Sequence, residues 1–172
     1  MSNASSVPGV NRALDAVDRV LSRLVDGAQW LALPIATLLL LQWPLREIVA
    51  RFSREANDVG QVLFALFVSV ALMAAVRDRA HLHTDVLAHR YPPVVRKWLE
   101  AGSLLLALIP WSLFILVAYF DGMRHSLALL EAFPDTVNPG YFLIKLGAWC
   151  MALLLLMQSL LDLARLVVPA SE

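Results

Sequence analysis

Charge is scarce in this chain, and cysteine is almost missing. Asp, Glu, Lys and Arg account for only 16% of 172 residues, while 59% are hydrophobic. A soluble domain carries about 25% charge and about 45–50% apolar residues, so this deficit, with a mean hydropathy of +0.67, points to lipid as the solvent. Formal net charge is zero. With no basic stripe either, no nucleic-acid partner is expected. The single cysteine, Cys150, excludes an intrachain disulfide and any paired-cysteine redox or zinc site. It lies in an apolar run and reads as a packing residue. No nucleophile-elbow pattern surrounds Ser103 or Ser126, which removes the usual serine-hydrolase reading.

What the chain has instead is long oily runs. Nineteen residues without Asp, Glu, Lys or Arg separate Asp26 from Arg46, 18 separate Asp58 from Arg77, and 20 separate Glu100 from Asp121. About 20 apolar residues cross a ~30 Å hydrocarbon layer as a helix. A fourth run, Tyr141 to Leu163, contains Lys145 and Asp162. Seventeen residues apart, these two lie about 25 Å from each other along a helix. One charge near each face can snorkel to the headgroups, so this run also reads as a span. Backbone amides in lipid must be bonded within their own segment, which makes every span helical.

The expected fold is therefore an all-α integral membrane domain over residues 27–168, with spans at about 27–45, 59–76, 101–120 and 141–163. Residues 1–10 are expected to be flexible and to carry no signal peptide, since no early apolar core follows. Asn11 is a plausible N-cap for an amphipathic helix over 11–26, with Leu14, Val17, Leu21, Leu24 and Val25 at helical spacing. Asp15 and Arg19 stand at i,i+4 on it. Trp30 and Trp43 bracket the first span, as rings at a membrane–water boundary do. Lys145 and Asp162 serve as the matching anchors of the last. Pro34 and Pro110 fall inside spans one and three and should bend them.

Basic residues set the expected orientation. With the N-terminus cytoplasmic, that side holds Arg12, Arg19, Arg23, Arg77, Arg79, Arg90, Arg96, Lys97 and Arg165. The other holds Arg46, Arg51, Arg54, Arg124 and, at its edge, Lys145. Nine against five puts both termini in the cytoplasm.

One polar knot interrupts the oil: RDRAHLHTDVLAHRYPPVVRK, residues 77 to 97. A short surface helix over Leu82 to Tyr91, stopped by Pro92 and Pro93, is expected there. On it His81, Asp85 and His89 would share one face, a possible zinc set. A straight helix separates the first and last of them by about 12 Å, too far for one ion, and no cysteine or further carboxylate cluster completes the site. Ten residues of helix, about 15 Å, cannot cross a bilayer, so the segment rides along the headgroups.

The span interiors are equally spare. Their polar residues are Thr37, Ser69, Ser112 and, nearer an end, Gln158 and Ser159. A secondary transporter carries ionisable groups at its midplane and a membrane cytochrome carries histidines inside its spans. All four histidines here, His81, His83, His89 and His125, lie in connectors. Neither a reaction centre nor a cofactor is implied.

Four spans and a connector reading AAVRDRAHLHTDVLAHRYPPVVRKWL resemble the small membrane subunit of TRAP transporters, the tripartite ATP-independent periplasmic systems, of the DctQ-like family. Arg77, His81 and Asp85 stand at the matching positions, with Pro92 near the family's Leu-Pro. Arg51-Phe52 and Glu55 are similar to the family's residues between the first two spans. The last connector, FPDTVNPGYFLIKLGAW, departs from the family's pattern at Gly140, Tyr141 and Lys145. The likeness covers about residues 28 to 165. It implies a scaffold subunit in the bacterial inner membrane, partnered by a large membrane subunit and a periplasmic substrate-binding protein. Together these take up an organic anion, usually a carboxylate such as a dicarboxylate, by sodium symport. Arg77, His81 and Asp85 would fix the connector or meet the large subunit. The alternative is a stand-alone small carrier or sensor acting as a homo-oligomer.

Overall fold

A computed structural model describes residues 8–48, 54–78 and 91–167. Among them the chain is helical: α1 (Pro8–Gln29), α2 (Ala32–Glu47), α3 (Arg54–Arg77), α4 (Pro93–Ser103), a π-helical turn (Leu104–Leu108), α5 (Ile109–Ala118), α6 (Phe120–Ala128) and α7 (Tyr141–Val167). Four stretches are long and apolar enough to cross a membrane: Leu14–Pro44, Arg54–Arg77, Pro93–Ala118 and Tyr141–Leu166. The expected surface helix over 82–91 falls almost wholly outside the described residues, as do His81, Asp85 and His89.

The N-terminal helix exceeds the bounds expected for an amphipathic element over 11–26. It starts at Pro8, so Asn11 lies within it rather than capping it, and it runs on to Gln29. Proline suits a first helical position, where its absent N–H has no partner to lose. Helix α1 thus overlaps the first apolar stretch instead of lying beside it. It is also packed. Leu21 is fully buried and joins Met73, Val76, Leu155 and Leu161 in the core, with Leu14, Val17 and Val25 against them.

Pro34 explains the break between α1 and α2. A proline ring clashes with the carbonyl four residues back, here that of Trp30. The chain turns at Trp30 and Leu31, whose amides bond to Gly27 and Ala28 at 3.2 and 3.0 Å in tight i→i−3 fashion. Pro34 itself then sits in the first turn of α2, where no bond is lost. Sixteen residues of α2 span only about 24 Å, so the end of α1 must complete the first crossing.

Pro110 acts differently. It too lacks an amide for the turn before it, and the helix widens there: Ile109 N–H bonds to the Leu104 carbonyl in the i→i+5 pattern. Such bulges are a recognised source of helix bending. The third span accordingly runs from Pro93 as α4, the π turn and α5, eight residues earlier than charge spacing suggested.

Helices α3 and α7 form the central pair. Small residues let them approach: Ser69 Oγ is 2.8 Å from the Gly147 carbonyl and 2.7 Å from that of Ala65. A methyl on Gly147 would meet Ser69 Oγ at 3.5 Å, so nothing larger fits without displacement. This is the packing mode of helices in lipid, where the hydrophobic effect gives no drive and close van der Waals contact does the holding. Trp149 Nε1 donates to the Leu116 carbonyl at 3.2 Å and ties α5 to α7. Outward, Leu40, Trp98, Leu106 and Val117 are more than two-thirds exposed. In water that surface would be untenable; against acyl chains it costs nothing.

Candidate functional site

Among the described residues, ion pairs between elements form at the two ends of the bundle. At one end the last turn of α3 and the last turns of α7 bring Arg77 and Arg165 to Asp18 of α1. Arg77 Nη2 lies 3.1 Å from Asp18 Oδ1, and Arg165 Nη2 lies 3.3 Å from Asp18 Oδ2. Each carboxylate oxygen thus serves a different helix. The Asp18 and Arg77 side chains are about three-quarters buried, while Arg165 is more open, so water screens the second pair more than the first. Asp15 is not part of this. Arg19 Nε reaches back to the Asp15 main-chain carbonyl at 3.2 Å.

Beside this clasp lies a polar cleft of about 280 Å³, lined by Arg77, Asp78, Gln158, Asp162, Arg165 and Leu166. Gln158 Nε2 donates to Asp162 Oδ1 at 3.0 Å. Asp162 is thus part of a hydrogen-bonded wall.

At the opposite end, the loop between α6 and α7 carries the second cluster. Helix α6 closes in a Schellman motif: Glu131 N–H bonds to the Ser126 carbonyl at 3.0 Å and Leu130 N–H to that of Leu127 at 3.3 Å. Leu130 takes the left-handed position usually given to glycine, with φ +45. That turn sets Glu131 beside Ser126 and Lys145, each 2.5 Å from Glu131 Oε2. Lys145 Nζ also lies 5.3 Å from the centre of the Tyr141 ring. Hydrogen bonds from Lys145 and then from Ser126 hold the Glu131 carboxyl below its ordinary titration range, against a smaller opposing effect of burial.

The rest of the loop is held as firmly. Ala132 pairs with Pro139 in an isolated bridge. Thr136 Oγ1 donates to Oδ2 of the buried Asp58 at 2.5 Å, joining the loop to the first turns of α3. Val137 has φ +59 and Gly140 φ +150. At Gly140 a side chain would be strained in φ, and its Cβ would come within 3.2 Å of Phe133.

Of the residues singled out from sequence, Arg77 is placed in the Asp18 clasp and Lys145 in the Glu131 cluster. Trp30 and Trp43 are about 70% exposed; Trp30 sits at the break between α1 and α2, and Trp43 near the end of the Leu14–Pro44 stretch. His81 and Asp85 lie outside the described residues. Among the described residues no three His, Cys, Asp or Glu side chains gather as a metal site. Sequence reading missed Asp18, Asp58, Ser126, Glu131 and Thr136. One signal was available: a lysine inside an apolar run calls for a counter-charge, and the connector just upstream holds two acids, Glu131 and Asp135.

Residues 35–168 match the model of the family described as tripartite ATP-independent periplasmic transporters, DctQ component. The chain belongs to this family. It is a DctQ small membrane component of a TRAP transporter, a multi-pass membrane protein and not an enzyme. No curated protein and no solved structure gives a match. In this DctQ component the matched stretch contains Arg77, Arg165 and the whole Glu131 cluster. Asp18 precedes it. The clasp thus joins family residues on α3 and α7 to a helix that begins upstream of the match.

Proposed function

We propose that this DctQ component is a scaffold. It supports a large transport subunit in sodium-driven, binding-protein-dependent uptake of an organic anion, with a carboxylate as the substrate class. The observation that carries this is the spacing of charge. Asp, Glu, Lys, Arg and His are missing from residues 27–45, 59–76, 101–120 and 146–161, and the ion pairs between described residues lie outside those runs. A subunit that itself moved an anion and sodium would need polar groups at depth. Hydroxyls do occur at depth, but Ser69 and Ser159 are spent on main-chain carbonyls, and the buried Ser112 stands there without a charge beside it in its span.

In this reading both termini face the cytoplasm of a bacterial inner-membrane protein, as the basic-residue excess favours. The Asp18 end then faces inward and the Glu131 end faces the periplasm and its substrate-binding protein. Arg77, His81 and Asp85 fix the polar connector against the bundle or the large subunit. Trp30, Trp43, Lys145 and Asp162 hold the membrane boundary.

Reconstitution tests it. Vesicles with this chain alone should accumulate no organic anion under a sodium gradient. Vesicles that also hold the large subunit, with binding protein added, should. Accumulation by the chain alone would establish the homo-oligomeric carrier instead. Asp85→Ala should lower recovery of the two-subunit complex, and wild-type recovery with wild-type uptake would remove the connector from the interface.

A further inference from the structure

The tip of the α6–α7 loop carries an apolar side chain where the backbone favours none. Val137 has a left-handed φ of +59 and is 79% exposed. For a β-branched residue that conformation is an outlier, whereas glycine adopts it freely and asparagine tolerates it. With so much of it open, the side chain has little packing to offset the strain. Backbone strain of this kind persists only where neighbouring contacts impose it, and it gathers where a chain meets its ligands. Here the contacts are specific. Val137 N–H bonds to the Phe133 carbonyl at 2.9 Å, and Phe133 N–H to that of Asn138 at 2.9 Å. Phe133 is buried, edge-on to the Tyr141 ring with centroids 5.6 Å apart, and Thr136 is bonded to Asp58.

Stiffness, position and charge narrow what meets this tip. Pro134 and Pro139 flank Val137 and are exposed with it. Proline has no rotamers to lose and valine few, so little entropy opposes burial of this surface. The contacts with Asp58 and Tyr141 set the tip over the starts of α3 and α7, on the end of the central pair. A partner within the bilayer meets helix flanks, so a partner at the tip comes from the water. Asp135 is the one charged residue from Phe133 to Gly140, and it is exposed. It forms no ion pair among the described residues, so it repels phosphate headgroups and calls for a cation. We propose that Pro134, Asp135, Val137 and Pro139 form a preorganised docking knob for a soluble protein that offers an apolar socket beside a lysine or arginine. That protein is the periplasmic substrate-binding protein, an assignment that rests on the orientation in the scaffold reading.

The test uses the complex of this chain with the large subunit in nanodiscs, against which the purified substrate-binding protein is titrated by biolayer interferometry. Val137→Gly should weaken binding about tenfold, the loss of one well-buried contact. The thermal midpoint of the complex should hold or rise, because the backbone strain is gone. A residue kept for folding would instead lower the midpoint and leave the affinity alone. Val137→Ile should bind like the wild type, and Asp135→Lys should weaken binding more at low salt than at high. Equal affinity of the glycine variant and the wild type would overturn the proposal while the scaffold reading stands. So would poorer recovery of the two-subunit complex with Val137→Gly at unchanged affinity, which would assign the knob to the large subunit. Absence of any binding to the wild-type complex would reject the orientation itself, and this proposal with it.

Discussion

Asp18 and Arg77 face each other at 3.1 Å, a carboxylate near the middle of α1 against a guanidinium at the last turn of α3. The contact adds an ionic tie to the packing of Leu14, Val17, Leu21 and Val25 against the bundle, and Arg165 adds a second. Removing Asp18 leaves two arginines side by side without their shared counter-ion. Asp18→Asn should destabilise the protein by about 1–2 kcal/mol, between the values of exposed and buried pairs. Thermal unfolding in detergent measures it, and protease should reach α1 sooner. An unchanged midpoint with unchanged cleavage would mean the clasp holds nothing.

Glu131 makes the loop end sensitive to acid. Its folded carboxyl titrates below the ordinary range because Lys145 and Ser126 donate to it. The folded state thus binds fewer protons than the unfolded one, and stability rises with pH across the window. This contribution is complete above the unfolded carboxylate's ordinary value of about 4.3 and is lost as pH falls through the lower folded value. Glu131→Gln should flatten that dependence below about pH 4.3 and lower the midpoint above it. Parallel melting curves across the range decide this, and identical slopes would refute it.

Gly147 should tolerate one methyl and no more. At 3.5 Å from Ser69 Oγ the added carbon makes ordinary contact, and alanine favours helix by up to about 1 kcal/mol. Gly147→Ala should be neutral or slightly stabilising. Gly147→Leu pushes α3 from α7 and should cost about 1–3 kcal/mol. If both behave alike, the two helices are not in close register there.

Gly140 carries a stricter demand. Its φ of +150 and the 3.2 Å approach to Phe133 both oppose a side chain. Gly140→Ala should cost about 1–3 kcal/mol. Because Thr136 and Glu131 lie in the same loop, hydrogen exchange there should quicken while the Asp18 end stays protected. Uniform loosening of both ends would contradict this.

The four crossings were legible because lipid imposes a simple length rule on apolar runs. Their ends were less so. Arg96, Lys97 and Glu100 made α4 look like a connector, yet a helix continues into the headgroup layer where charges are solvated, so the third span begins at Pro93. Periodicity placed Leu14, Val17 and Leu21 on one face of α1 correctly, but it assigns charges only relative to their own helix. It had no means of showing that Asp18 would meet Arg77 and Arg165, which belong to distant parts of the chain. The loop cluster was hidden for a different reason. Pro134-Asp135 and Asn138-Pro139-Gly140 mark a turn-rich loop, but Leu130 and Val137 adopt left-handed backbone that their side chains disfavour, so the turn that sets Glu131 beside Lys145 was hidden.

The double attachment of Asp18 also bears on biosynthesis. Its first partner, Arg77, is translated soon after it, but Arg165 comes near the end of the chain. A ribosome adding about 5–20 residues per second needs on the order of ten seconds to travel from one to the other. During that interval Asp18 has only one of its two guanidinium partners, and the ionic ring closes only when the last crossing has entered the bilayer.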